Sequence, residues 1–174
     1  MEVENLVLLA TPGRSIDDVV LEQIQRRTPL LYDEESNIFA RLKQGKTTQL
    51  VDTNLWGLFR PSTQHYMMSL LRYSPSELIQ SRISKTVIIQ GARDIQTTPL
   101  DAEVLYAAAS PSSQLLLIPN MNHMLVYCSS NPKDNLASYG DPNRPLHPEL
   151  ARKIKQLTKK LLVNQRFKSA SDAT

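Results

Sequence analysis

The stretches "TVIIQGARDIQ" (residues 86–96) and "LLLIPNMNHML" (residues 115–125) are built to one plan. Each opens on a short apolar run and breaks off into a polar turn. Runs of this length, closed by Gly or Asn, read as buried strands, here 86–90 and 115–118. Between them, 99–109 is alanine-rich, opens on Pro99 and reads as a helix. Strand, helix and strand at this spacing imply a parallel pair joined by a right-handed crossover. Parallel strands end on one edge of their sheet, where the reactive groups of open α/β sheets collect. The first turn brings Asp94 to that edge and the second brings His123. On strands ~4.8 Å apart their side chains can meet. An aspartate that accepts from a histidine Nδ1–H fixes the tautomer and stabilises the imidazolium formed during proton transfer. Taken singly, Asp94 is an ordinary turn or cap residue and His123 an ordinary loop residue. Two such residues at one edge, in this order, favour an acid–base pair.

Upstream, "LVLLA" (6–10) is a third apolar run and reads as a strand covered on both faces, ended by the turn "TPGR" (11–14). Ser15 stands where it can cap a helix with Asp17 and Asp18 in its first turn. That helix carries Ile16, Val19, Val20 and Ile24 inward and stops before Pro29. Residues 30–82 have no strand pattern. Helices are expected at 37–45, closed by Gly45, at 62–74, capped by Ser62, and at 74–82, with Pro75 in the first helical position. Downstream of a long loop, 151–168 is a basic amphipathic helix. Leu150, Ile154, Leu157 and Leu161 form its apolar stripe, and its lysines a solvated face. The expected organisation is a core strand and turn at 1–14, a helical cap insertion at 15–83, and a C-terminal α/β core at 84–174. Trp56, Phe59, Tyr66, Met67 and Met68 fit two readings, helix packing or the wall of an acyl pocket beneath the cap. Asn122 either shapes the histidine loop or is an ordinary turn residue.

The bulk composition sets limits. A chain of 174 residues, 41% hydrophobic and 21% charged, can bury the core of one ordinary domain. A net charge of +3 does not argue for nucleic acid. The single cysteine, Cys128, forms no internal disulfide and fits a reducing compartment. Residues 6–10 are too short an apolar run for a signal peptide or membrane span, so no membrane partner and a cytoplasmic location are expected. One Cys and three separated histidines, His65, His123 and His147, make no zinc-type cluster.

Taken together, these stretches resemble the C-terminal half of an α/β-hydrolase-fold protein of the serine esterase and serine-peptidase-like branch. "TVIIQGARDIQTTPLDAEVLYAA" resembles that family's penultimate strand, acid-bearing turn and following helix, and "QLLLIPNMNHML" its last strand and histidine loop. "LVLLATPGRSIDDVVLEQI" resembles the strand after the nucleophile's helix, with its turn into the cap. "LWGLFRPSTQHYMMSLLRYSPSEL" resembles the return from cap to core. The resemblance implies a partial α/β-hydrolase fold: three parallel strands, flanking helices and a helical cap insertion. It also implies hydrolysis of an ester, thioester or amide without a cofactor, with Asp94 as the acid and His123 as the base of a Ser-Asp-His triad.

The family's serine sits in G-x-S-x-G, ahead of the acid and the histidine in chain order. Of the five glycines here, Gly13, Gly45, Gly57, Gly91 and Gly140, no two are four apart, so the motif is absent. Ser15 follows the wrong strand for that role. The oxyanion donors, which the family takes from the residue after the nucleophile and from an earlier loop, would lie upstream of Met1. Each missing donor removes on the order of 3 kcal/mol of transition-state stabilisation. The chain alone is therefore expected to be inactive, and a small-molecule ester or amide is its expected substrate only when an N-terminal half completes it. A fragment, half of a split enzyme, a mis-started frame and a decayed copy all fit. The alternative is a non-catalytic truncated α/β domain that binds a partner. Either way, an unpaired strand edge is expected to promote self-association.

Overall fold

The computed structural model describes residues 5–81 and 84–171, with side chains to residue 159. In chain order it contains strand β1 (Asn5–Leu9), helix α1 (Ile16–Arg27), and a 3-10 turn (Pro29–Leu31) leading into α2 (Tyr32–Lys43). The short α3 (Trp56–Phe59), α4 (Pro61–Leu70) and α5 (Pro75–Gln80) follow. Next come β2 (Lys85–Gly91), α6 (Pro99–Ala108) and β3 (Gln114–Ile118). The chain ends with α7 (Pro132–Ala137), a second 3-10 turn (Ser138–Gly140) and α8 (Pro148–Ser171).

The three strands form one parallel sheet in the order β1-β2-β3. The register sets Leu8 opposite Ile88 and Ile88 opposite Leu115. These side chains share one face, where Ala102 and Leu105 of α6 and Ile79 of α5 cover them. Leu9, Ile89 and Leu116 stand one residue along and face the other way. There Leu150, Ile154 and Leu157 of α8, together with Met121, close a second core. The stripe therefore docks as expected as far as Leu157; the side chain of Leu161 lies outside the described residues. Arg152, Lys155 and Lys159 remain in solvent on the opposite side of α8.

Residues 16–71 build a third core that the sheet does not enter. Val20, Ile38, Phe39, Leu42, Leu55, Phe59 and Met67 are its buried members. Phe39 and Phe59 meet edge to face, with centroids 5.0 Å apart at 84°. A clamp fastens the turn that leads into this helical region to α6. Asp101, fully buried in the first turn of α6, accepts from the Gly13 and Arg14 backbone N–H groups at 3.2 and 3.3 Å and from the Arg14 side chain at 3.0 and 2.9 Å. It also accepts from the Thr98 backbone N–H at 3.0 Å and so completes a capping box.

Several local expectations change. Ser15 occupies the cap position of α1, but its hydroxyl donates to the Asp18 carboxylate at 2.6 Å instead of accepting from the backbone. Helix α4 begins at Pro61, and Ser62 accepts from the Arg60 side chain at 3.1 Å, so Ser62 is not its cap. Strand β1 is not buried on both faces. As an outer strand it has no fully buried residue, and Val7 is 37% exposed. Ala10 leaves the strand with φ 47°, a left-handed conformation that is uncommon outside glycine.

Candidate active site

Asp94 and His123 follow β2 and β3, which are hydrogen-bonded neighbours. The His123 Nδ1 lies 3.0 Å from the Asp94 Oδ2. The aspartate is buried and the imidazole about a quarter exposed, at 27%. This carboxylate selects the tautomer with the proton on Nδ1, which leaves Nε2 as a lone-pair acceptor.

The acid is held by its own turn. Oδ1 accepts from the backbone N–H groups of Gln96 (2.8 Å) and Thr97 (3.1 Å). Oδ2 accepts from the Gln90 side-chain amide at 2.9 Å, which also donates to the Thr97 carbonyl at 2.8 Å. The Thr97 hydroxyl is within donor distance of Oδ2 (3.0 Å) and of the Ala10 carbonyl (3.1 Å), and gives its one hydrogen to either. The left-handed turn at Ala10 thus aims the end of β1 at the acid.

A separate network holds the histidine loop. Asn122 is fully buried, and its amide donates to Asn135 Oδ1 (2.9 Å) and Ser138 Oγ (2.5 Å), while its own Oδ1 accepts from the Met124 N–H (3.1 Å). Asn135 in turn donates to the Arg93 carbonyl at 2.7 Å. The Arg93 N–H donates to the Met121 carbonyl at 2.9 Å, which joins the two turns directly. The loop-shaping reading of Asn122 fits this placement. Thr97, Asn135 and Ser138 carry no mark in the sequence that singles them out for these roles. The one available signal was Gln90, an amide in an otherwise apolar strand run.

The approach of the two turns also dictates Gly91. A Cβ there would lie 2.2 Å from the Met121 carbonyl oxygen, closer than any nonbonded contact permits. Gly91→Ala is therefore expected to push the histidine loop away, at a cost of about 1–3 kcal/mol. Loss of the hydrogen-bonded Nδ1 proton resonance of His123 and a lower melting temperature would show it; an unchanged resonance would mean the loop shifts without parting the pair.

The five candidate pocket residues do not act together. Phe59 and Met67 belong to the helical core, and Met68 packs against it. Trp56 and Tyr66 are 47% and 65% exposed. Among the described residues no group of three or more His, Cys, Asp or Glu side chains gathers as a metal site. No helix there is long and apolar enough to cross a membrane. His147 accepts from the Glu149 N–H at 3.3 Å and stacks on Tyr127, and His65 is exposed.

No family model and no curated protein matches the chain. Solved structures do. A thermophilic esterase from Thermogutta terrifontis is 16% identical with a TM-score of 0.39, over 90% of this chain and 56% of that one. The esterase domain of a Rhodothermus marinus protein is 13% identical with a TM-score of 0.40, over 79% of this chain and 49% of that one. A hydrolase from Pseudomonas aeruginosa is 18% identical with a TM-score of 0.36, over 79% of this chain and 53% of that one. The chain spans about half the length of these structures.

Proposed function

We propose that this chain is the acid- and base-bearing part of a serine hydrolase of the α/β-hydrolase family. In this reading Asp94 orients His123. His123 takes the proton of a serine hydroxyl as general base, then returns it to the leaving group as general acid. The serine and the oxyanion donors come from a segment outside these 174 residues, and the substrate is an ester, thioester or amide. The observation that carries the reading is the 3.0 Å contact between Asp94 and His123 at the ends of adjacent parallel strands. The outermost position of β1 leaves one strand edge on which such a segment could pair.

The test is reconstitution. This chain would be joined or co-expressed with the in-frame segment upstream in its gene, provided that segment carries G-x-S-x-G. Turnover of an activated ester is expected in the combined protein and not in the isolated chain, which should not exceed the rate of free imidazole. His123→Ala should abolish the gain. Equal turnover in that variant would sink the assignment of the base.

The same open edge favours a second reading, in which the chain is a non-catalytic α/β domain that binds a partner by strand addition. An upstream segment with no nucleophile, together with a stable complex that has no turnover, would decide for it.

A further inference from the structure

A cleft of about 430 Å³ opens between the last turn of α1, the acid turn and the loop into α7. Arg26 and Arg27 line it on one side, Arg93 on another, and Ser129, Ser130 and Asn135 complete its polar wall. The charge of this cleft is unbalanced. Arg26 is paired with Glu22 at 2.9 Å. Among the described residues Arg27 and Arg93 have no acidic partner within ion-pair distance. The one carboxylate in the lining, Asp94, has both oxygens occupied by the donors of its own turn and by His123.

A cation in the last turn of α1 is stabilised by the helix dipole, which explains Arg27. It does not explain Arg93, which lies on a different element and faces the same cleft. Two like charges on the walls of one concavity repel each other and focus a positive potential into it. Burial, and after it the negative Asp94, pushes the Tyr139 hydroxyl up to about 12, with the positive charge of Arg27 acting against the rise. Tyr139 thus stays a neutral hydroxyl in the neighbourhood of the cleft and brings no compensating negative charge.

We infer that this cleft binds a small organic oxyanion, a carboxylate or phosphate group held by the Arg27 and Arg93 guanidinium groups. Planar guanidinium matches both acceptors two atoms at a time, which lysine cannot do. The cleft has room for an organic body beyond the anionic group. The inference does not depend on the hydrolase reading, because the cleft needs no nucleophile to bind.

Nuclear magnetic resonance of the full chain tests it, with the arginine Nε–H signals followed at constant ionic strength. Inorganic phosphate and citrate are titrated in separate arms, with chloride as the control. Saturable shifts of the Arg27 and Arg93 signals are expected in at least one arm, and the responding arm identifies the headgroup. Arg27→Gln and Arg93→Gln should each weaken binding about tenfold or more, Arg93→Lys less so, and Arg152→Gln on α8 not at all. Both target residues are exposed, so the variants should keep the wild-type circular dichroism. Shifts that are equal in chloride, that never saturate, or that survive in both glutamine variants would overturn the proposal.

Discussion

Replacing Asp101 with alanine is expected to destabilise the chain by about 3–5 kcal/mol, the cost of breaking a buried ion pair by removing one partner. A domain's whole net stability is commonly about 5–15 kcal/mol, so this is a large share. Asp101 is wholly buried and takes donors from Gly13, Arg14 and Thr98. Alanine would leave the Gly13 N–H without its acceptor and Arg14 with Glu22, at 2.5 Å, as its remaining acidic partner. It would also release the turn after β1 from α6 and remove half of the α6 capping box. Burial alone would raise the Asp101 carboxyl, but the hydrogen bonds and charge of Arg14 and the backbone donors outweigh it, and its pKa is lowered from 3.8. A depressed carboxylate contributes stability above its unfolded value and loses it as pH falls through the folded one. The penalty of Asp101→Ala should thus be complete at neutral pH and shrink below about pH 4. Urea melts at pH 7 and pH 3 measure this. A cost below about 1 kcal/mol at pH 7 would mean that the clamp is not what fastens the turn after β1 to α6. Adding Arg14→Met to the alanine variant should recover part of the loss, because it removes a charge that has lost its buried partner.

The clamp also shows where a sequence stops being readable. The strands were legible to within about a residue because their signal is local: an apolar run and a breaker. Asp94 and His123 were legible because each directly follows such a run. Asp101 reads only as a helix-start residue, since its partners Gly13 and Arg14 are nearly ninety positions away in the chain. Asn135 was missed for the same reason: its role is to hold the Arg93 carbonyl, a pairing that only the folded chain creates. It lies on α7, whose start was marked all along by Asn131-Pro132, where Asn131 accepts from the Lys133 N–H at 3.0 Å. Helix α2 starts at Tyr32 instead of the expected 37 because its first turn is acidic: Asp33, Glu34 and Glu35 favour a helix N-terminus but break the apolar periodicity.

One of those acids does more than break a pattern. Glu35 lies on the same stripe of α2 as Ile38, Phe39 and Leu42, and like them it is buried. Neither of its carboxyl oxygens has a hydrogen-bond partner among the described residues. Loss of solvent therefore pushes its pKa from 4.5 up to about 7. The folded chain prefers the neutral acid, so the sign is opposite to that of Asp101. The contribution of Glu35 is most favourable below its unfolded pKa and is lost as pH rises from about 4.5 through 7. At ~1.4 kcal/mol per unit, the loss amounts to about 3 kcal/mol once the group is forced to ionise. Glu35→Gln keeps the shape and removes the charge. It is expected to stabilise the chain by about that amount at pH 8 and to change little at pH 4.5. Because Asp101 titrates identically in both proteins, subtracting the wild-type curve from the variant curve isolates Glu35. Melts at the two pH values would show the difference growing with pH. A difference that stays flat between them would mean that Glu35 ionises in the folded chain as freely as in water, and that the helical core around Phe39 and Phe59 is open to solvent at this position.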